Sequence, residues 1–150
     1  MLLLNLFVAG VLVVTTFAMH FAGLVGLTWF MRKRISGHPH RLTSVAWQGA
    51  AILFVVLGLF ALHSAQIWVY AFVYLALGEF SSVETALYFS TSTFTTVGFG
   101  DIVLQDEWRM LSAAESANGF LLIGWSTAFL VAVTGRLRVF EADIERLDAE

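Results

Sequence analysis

The chain has 150 residues, of which 59% are hydrophobic and 13% charged, with a formal charge of −3 and no cysteine. That balance excludes an ordinary soluble domain, the acidic charge argues against nucleic acid as a partner, and a cysteine-free chain has neither disulfides nor a thiolate metal site. No linker, internal repeat or low-complexity tract interrupts it, so a single all-α membrane protein is expected.

The first predicted element spans Leu2 to Phe30, apolar except at Asn5, Thr15, Thr16, His20 and Thr28. About 20 residues at 1.5 Å each cross the hydrocarbon, so this segment has length to spare. It is too long for a signal peptide and lacks a basic leading region, so residues 1–31 read as a retained transmembrane helix. The basic run Arg32-Lys33-Arg34 closes it, and a polar loop follows, with Pro39 between His38 and His40.

A second span extends from Ser44 to about Leu77. Trp47 and Trp68, 21 residues apart, suit the two interfaces of a bilayer. The apolar pattern continues through Tyr70, Phe72 and Tyr74, which fits either one long tilted helix or a break near His63-Ser64. Gly78 ends the segment. Ser81-Ser82-Val83-Glu84 has the spacing of a capping box, with Ser81 and Glu84 as the reciprocal pair. The helix it opens, Ser82 to Phe94, is too short to cross a membrane. Short helix and glycine-rich backbone together suit a re-entrant loop, which needs protein or water around it at membrane depth.

That backbone is Thr95-Thr96-Val97-Gly98-Phe99-Gly100-Asp101. Permissive glycines alternating with ordinary residues let successive carbonyls point one way instead of alternating as in a strand. Four such segments around an axis would give stacked oxygen rings able to replace the water shell of a cation. Thr96-Val97-Gly98-Phe99-Gly100 resembles the selectivity filter of the potassium-channel family, with Phe where Tyr is commoner. The resemblance covers about 44–138 as a helix–pore loop–helix domain.

It implies that the carbonyls of Thr96, Val97, Gly98 and Phe99, with the Thr96 hydroxyl, hold K+ as the transported ion. It also implies that one chain supplies one side of each ring, so that the pore is a homotetramer in a lipid bilayer. No cofactor is expected. Family tyrosines at the Phe99 position commonly bond to pore-helix tryptophans; here Tyr88 and Phe89 stand in the helix instead. Asp101 closes the motif at the outer mouth. Glu79, Glu84, Asp106 and Glu107 either make that face acidic enough to concentrate cations or form a solvated loop.

Trp108 anchors the start of a third span, from about Met110 to Thr134, followed by Arg136 and Arg138. Gly119 and Gly124 are its candidates for a gating hinge or for close helix packing, and the sequence leaves both open. Glu115 is the one acid inside a span; with Ser112, Asn118 and Gly119 it forms a polar, small stripe facing protein. It is expected to brace the pore helix from behind in its protonated form, through a hydroxyl among Ser90, Thr91, Ser92 and Thr93, with proton-dependent gating as the alternative role. Residues 139–150 form a short tail, and Leu137, Phe140, Ile144 and Leu147 at its start and within it suggest a helical stripe.

Arg32, Lys33, Arg34 and Arg41 fall on one side of the spans with Arg136, Arg138 and Arg146, and Arg109 alone on the other. The positive-inside rule puts the N-terminus and pore loop outside and the tail in the cytoplasm, and the short chain suggests a bacterial inner membrane. The histidines form no convincing metal site, with His20 and His63 expected as satisfied intramembrane groups. Nothing resembles an active site, so the chain is not read as an enzyme. A weakly selective cation channel and a non-conducting subunit with a filter-like loop are the alternative functions.

Overall fold

The computed structural model describes residues 2–36 and 45–147, with side chains for 2–33 and 46–136. Four helices follow in order: α1 (Leu2–Ser36), α2 (Val45–Ala76), α3 (Val83–Phe94) and α4 (Arg109–Leu147). No strand occurs among the described residues. Three helices are long and apolar enough to cross a membrane, over Leu2–Lys33, Ala46–Ala76 and Arg109–Arg136. α3, with 12 residues, is only about 18 Å long and cannot.

Helix ends differ from membrane limits. α1 runs through Arg32 and Lys33 to Ser36, and α4 runs past Arg136 to Leu147. Lysine and arginine end a hydrophobic span but are good helix formers, so the backbone has no reason to stop there. α2 passes His63-Ser64 without a break. It stops where Gly78 takes a φ of 78°, the left-handed turn that glycine adopts without a Cβ penalty. Glu79 N–H then bonds to the Tyr74 carbonyl and Gly78 N–H to that of Leu75, closing a Schellman motif.

The expected capping box is not formed. The N-cap of α3 is Ser82, whose side chain makes no capping bond. Ser82 instead contributes its carbonyl to the first helical bond, from Ala86 N–H at 3.1 Å. With the helix starting one residue later than the Ser81 pairing requires, Glu84 no longer stands at the third helical position and the reciprocal pair with Ser81 has no register. The loop holding Pro39, His38, His40 and Arg41 lies outside the described residues, as do the side chains of the Leu137–Leu147 stripe.

The chain forms two compact units, residues 1–21 with 62–124 and residues 22–61 with 125–150. The first has a core in which Ala9 and Leu12 of α1 join Tyr70 and Tyr74 of α2, Phe89 and Phe94 of α3, and Leu111 and Leu122 of α4. Tyr74 meets Phe89 edge-on at 5.2 Å and 82°, the favoured aromatic geometry. In the second unit Leu24, Val55 and Leu59 pack with Leu27, Met31, Phe129, Leu130 and Val133. Large apolar side chains such as Leu3, Phe60 and Phe120 stay exposed, as expected of helices whose outer surface meets lipid or another protein.

Candidate functional site: the glycine loop after α3

All of the site lies in the first unit. α3 ends at Phe94 with Thr95 as its C-cap, and the chain then departs from any regular helix. Thr96, Gly98 and Gly100 have φ of 61°, 55° and 76°, while Val97 and Phe99 between them do not share the positive sign. Positive φ at every second residue turns successive carbonyls toward one side, because the hand of the backbone reverses at each step. For Gly98 and Gly100 this conformation is easy, whereas for Thr96 it costs roughly 1–3 kcal/mol and requires outside support.

The support comes from the end of α3. Thr96 N–H bonds to the Thr93 carbonyl at 3.0 Å, and Val97 and Gly98 N–H both bond to the Ser92 carbonyl, at 3.0 and 3.1 Å. Phe99 N–H points at Ser92 Oγ, 3.4 Å away. Four amides are thus drawn toward the helix, which leaves the carbonyls for the other side. In the single chain Thr95 to Gly100 are all exposed, and Val97 and Phe99 present 54% and 68% of their surface.

Tyr88 holds the far end of the loop. Its hydroxyl donates to Asp101 Oδ2 at 2.8 Å, and Asp101 Oδ1 accepts from Ile102 N–H. The Tyr88 ring stacks on Phe99 at 6.3 Å and 8°. The hydrogen bond to Asp101 raises the Tyr88 phenol above its ordinary value, since ionisation would break it and place two negative charges together. A cavity of about 380 Å³ lies behind the loop, bounded by Tyr88, Ser92, Asp101, Arg109, Ser112 and Ser116. Glu79 bonds across to Gln105 N–H at 2.9 Å, tying the end of α2 to the return loop. Asp106 pairs with Arg109 at the exposed surface, a contact of little energetic weight.

α4 supports α3 from behind. Ser116 donates to the Thr93 carbonyl at 3.0 Å. Glu115 Oε1 lies 2.5 Å from Ser90 Oγ, and Oε2 accepts from Tyr74 OH at 2.5 Å. Gly119 faces the Phe94 carbonyl so closely that a Cβ would lie 2.0 Å from its oxygen. This is a packing position; Gly124 has nothing within 4 Å of where its Cβ would be.

A polar seam joins α1 to the same structure, and sequence reasoning missed it. Asn118 donates to Thr16 Oγ1 at 2.7 Å and to Tyr70 OH at 3.0 Å, and Gln66 donates to the Thr16 carbonyl at 3.0 Å. Gln66 Oε1 lies 3.0 Å from His63 Nδ1, and His63 stacks on His20 at 5.3 Å. The available signal was the spacing of Asn5, Thr16 and His20, which share one face of a helix. Asn5 duly reaches the Glu107 carbonyl at 2.5 Å. Among the described residues no group of three or more metal-binding side chains occurs.

A family model described as ion channel matches residues 59–136, just over half of the chain. The chain belongs to the ion channel family. No curated protein and no solved structure matches it significantly. The ion channel match begins within α2, takes in α3 and the glycine loop, and ends in α4, so α1 is an addition to the matched segment. Membership with three span-length helices makes this an integral membrane protein of a family that moves ions passively.

Proposed function

We propose that the chain is a potassium-selective channel in which Thr96–Gly100 of four identical subunits form the ion filter. The observation that carries this reading is the positive φ at Thr96, Gly98 and Gly100 within Thr-Val-Gly-Phe-Gly. The carbonyls of Thr96, Val97, Gly98 and Phe99 are then the ion ligands, with the Thr96 hydroxyl at the inner end. One copy offers its loop as bare surface, which suits a ring that closes only when copies assemble. The C-terminal end of α3 adds a partial negative charge favourable to a cation. Asp101 stands at the outer mouth, the tail is cytoplasmic, and a bacterial inner membrane is the setting. Gly124 is the remaining candidate for a hinge.

A weakly selective cation channel is the second reading, favoured by one feature. Phe99 has no hydroxyl with which to anchor the loop, and the Tyr88 hydroxyl is engaged by Asp101. The Phe99 side chain is therefore held by stacking alone, a softer restraint than a hydrogen bond.

Reconstitution of the purified chain into liposomes with opposed K+ and Na+ gradients tests both. A reversal potential following K+ supports the first reading, one midway between the ions supports the second, and absence of flux defeats both.

A further inference from the structure

Glu115 is fully buried, and the groups that touch its carboxyl are neutral. Tyr74 OH meets Oε2 and Ser90 Oγ meets Oε1, each at 2.5 Å. Of the groups around it, Tyr70 and Tyr74 stand on α2, Ser90 on α3 and Asn118 on α4, with Thr16 of α1 reached through Asn118. None is a cation. Among the described residues no cation pairs with Glu115, and the Arg109–Asp106 salt bridge lies apart from it at the exposed surface. A buried carboxylate without a compensating charge is strongly disfavoured.

The hydrogen count points the same way. Ser90 Oγ lies 3.0 Å from the Ile67 carbonyl as well as 2.5 Å from Glu115 Oε1. A serine hydroxyl has one hydrogen. Were Glu115 a carboxylate, Ser90 would face two acceptors with that single hydrogen, and one of these contacts would set lone pairs against lone pairs. A proton on Oε1 removes the conflict: Glu115 donates to Ser90, Ser90 donates to Ile67, and Tyr74 donates to Oε2.

We propose that Glu115 is a neutral carboxylic acid whose proton pins α3 between α2 and α4. The proton completes one continuous chain of bonds from Tyr74 through Glu115 and Ser90 to Ile67. Without it, Ser90 must release either Glu115 or Ile67, and α3 loses a tie on one side. Ser90 is two residues from Ser92, whose carbonyl and hydroxyl hold the amides of Val97, Gly98 and Phe99. Glu115 is thus a positioning residue for the glycine loop, which it does not touch. The assignment does not rest on potassium selectivity.

Infrared spectroscopy of the full chain in lipid at neutral pH reads the proton directly and requires no conduction. The expected result is a carbonyl-stretch band of a protonated carboxylic acid that is absent from Glu115→Gln. In Tyr74→Phe the band should move to higher frequency, since Oε2 loses a hydrogen bond. A wild-type spectrum without such a band overturns the proposal, as does a band indifferent to both substitutions. The glutamine amide can donate to Ser90 and accept from Tyr74, so Glu115→Gln should fold and retain wild-type ion flux, whereas Glu115→Ala should lose most of it. A Glu115→Gln protein that misfolds, or whose flux is lost as fully as in Glu115→Ala, shows that the negative charge is required and likewise overturns the proposal.

Discussion

Gly119 of α4 and Phe94 at the end of α3 approach so closely that a methyl group at Gly119 would stand 2.0 Å from the Phe94 carbonyl oxygen and 2.8 Å from its carbon. Backbone cannot swing aside as a side-chain tip can. Gly119→Ala should therefore push α3 off α4, at a cost of about 1–3 kcal/mol or more, while Gly124→Ala, with open space around it, should be nearly neutral. Thermal unfolding of the two purified variants in detergent checks this, and equal melting would show that the contact gives way.

Gly98 presents a different test, because its surroundings are open but its φ is 55°. Alanine there meets no clash and suffers only the left-handed backbone penalty, about 1–2 kcal/mol. Gly98→Ala should insert and assemble as the wild type does yet lose ion flux. Normal potassium flux through this variant would remove the filter assignment.

Tyr88→Phe deletes the hydroxyl that reaches Asp101 and keeps the ring that stacks on Phe99. Potassium preference over sodium should fall, by no more than about tenfold for one neutral–ionic bond near the surface. The pH sign follows from the raised phenol. The bond's contribution is present below the ordinary tyrosine value of ~10 and is lost as pH rises through the raised one. The difference between variant and wild type should therefore stay constant through the neutral range and shrink only in strong alkali. A difference that changes near neutrality would assign the effect to another group.

Thr16 and Thr15 form a matched pair on α1. Thr16 is buried and accepts from Asn118, whereas exposed Thr15 bonds only to its own helix at Val11. Thr16→Val should cost about 1–3 kcal/mol, the range for a buried donor left without its acceptor, and Thr15→Val close to nothing. If both melt alike, α1 is an appendage and not part of the folded unit.

The absence of native cysteine allows a clean test of orientation. A single cysteine at Gln105 should react with an impermeant reagent applied from outside intact cells, and one at Gly37 should not. The reverse pattern would invert the topology drawn from the basic residues.

The sequence by itself determined the spans, the short helix between them and the site of the glycine loop. Each is a local property: an apolar run has the length of a bilayer, 12 residues do not, and glycine marks unusual backbone. The position of Glu115 on a polar helical stripe was legible for the same reason, since helical spacing alone says which residues share a face. Where helices begin and end was less legible. The capping box at Ser81 and Glu84 failed by a single residue, which is all it takes to lose a reciprocal pair, and the basic clusters ended the spans without ending α1 or α4.

The tertiary structure alone decided which groups meet. Nothing local to Thr96 announces a positive φ; that angle is imposed by four amides drawn back to Ser92 and Thr93. The sequence does not say whether Tyr88 faces Phe99 or Asp101, and only the fold of the return loop lets it stack on one and bond to the other. His20 and His63, far apart in sequence, stack because α1 packs on α2, and Gly119 proves to be a packing position because the end of α3 crosses it. These outcomes depend on contacts between helices up to 102 residues apart, as in the bond from Asn118 to Thr16. Periodicity predicts the face a residue occupies, but the partner on that face is fixed only when the helices dock.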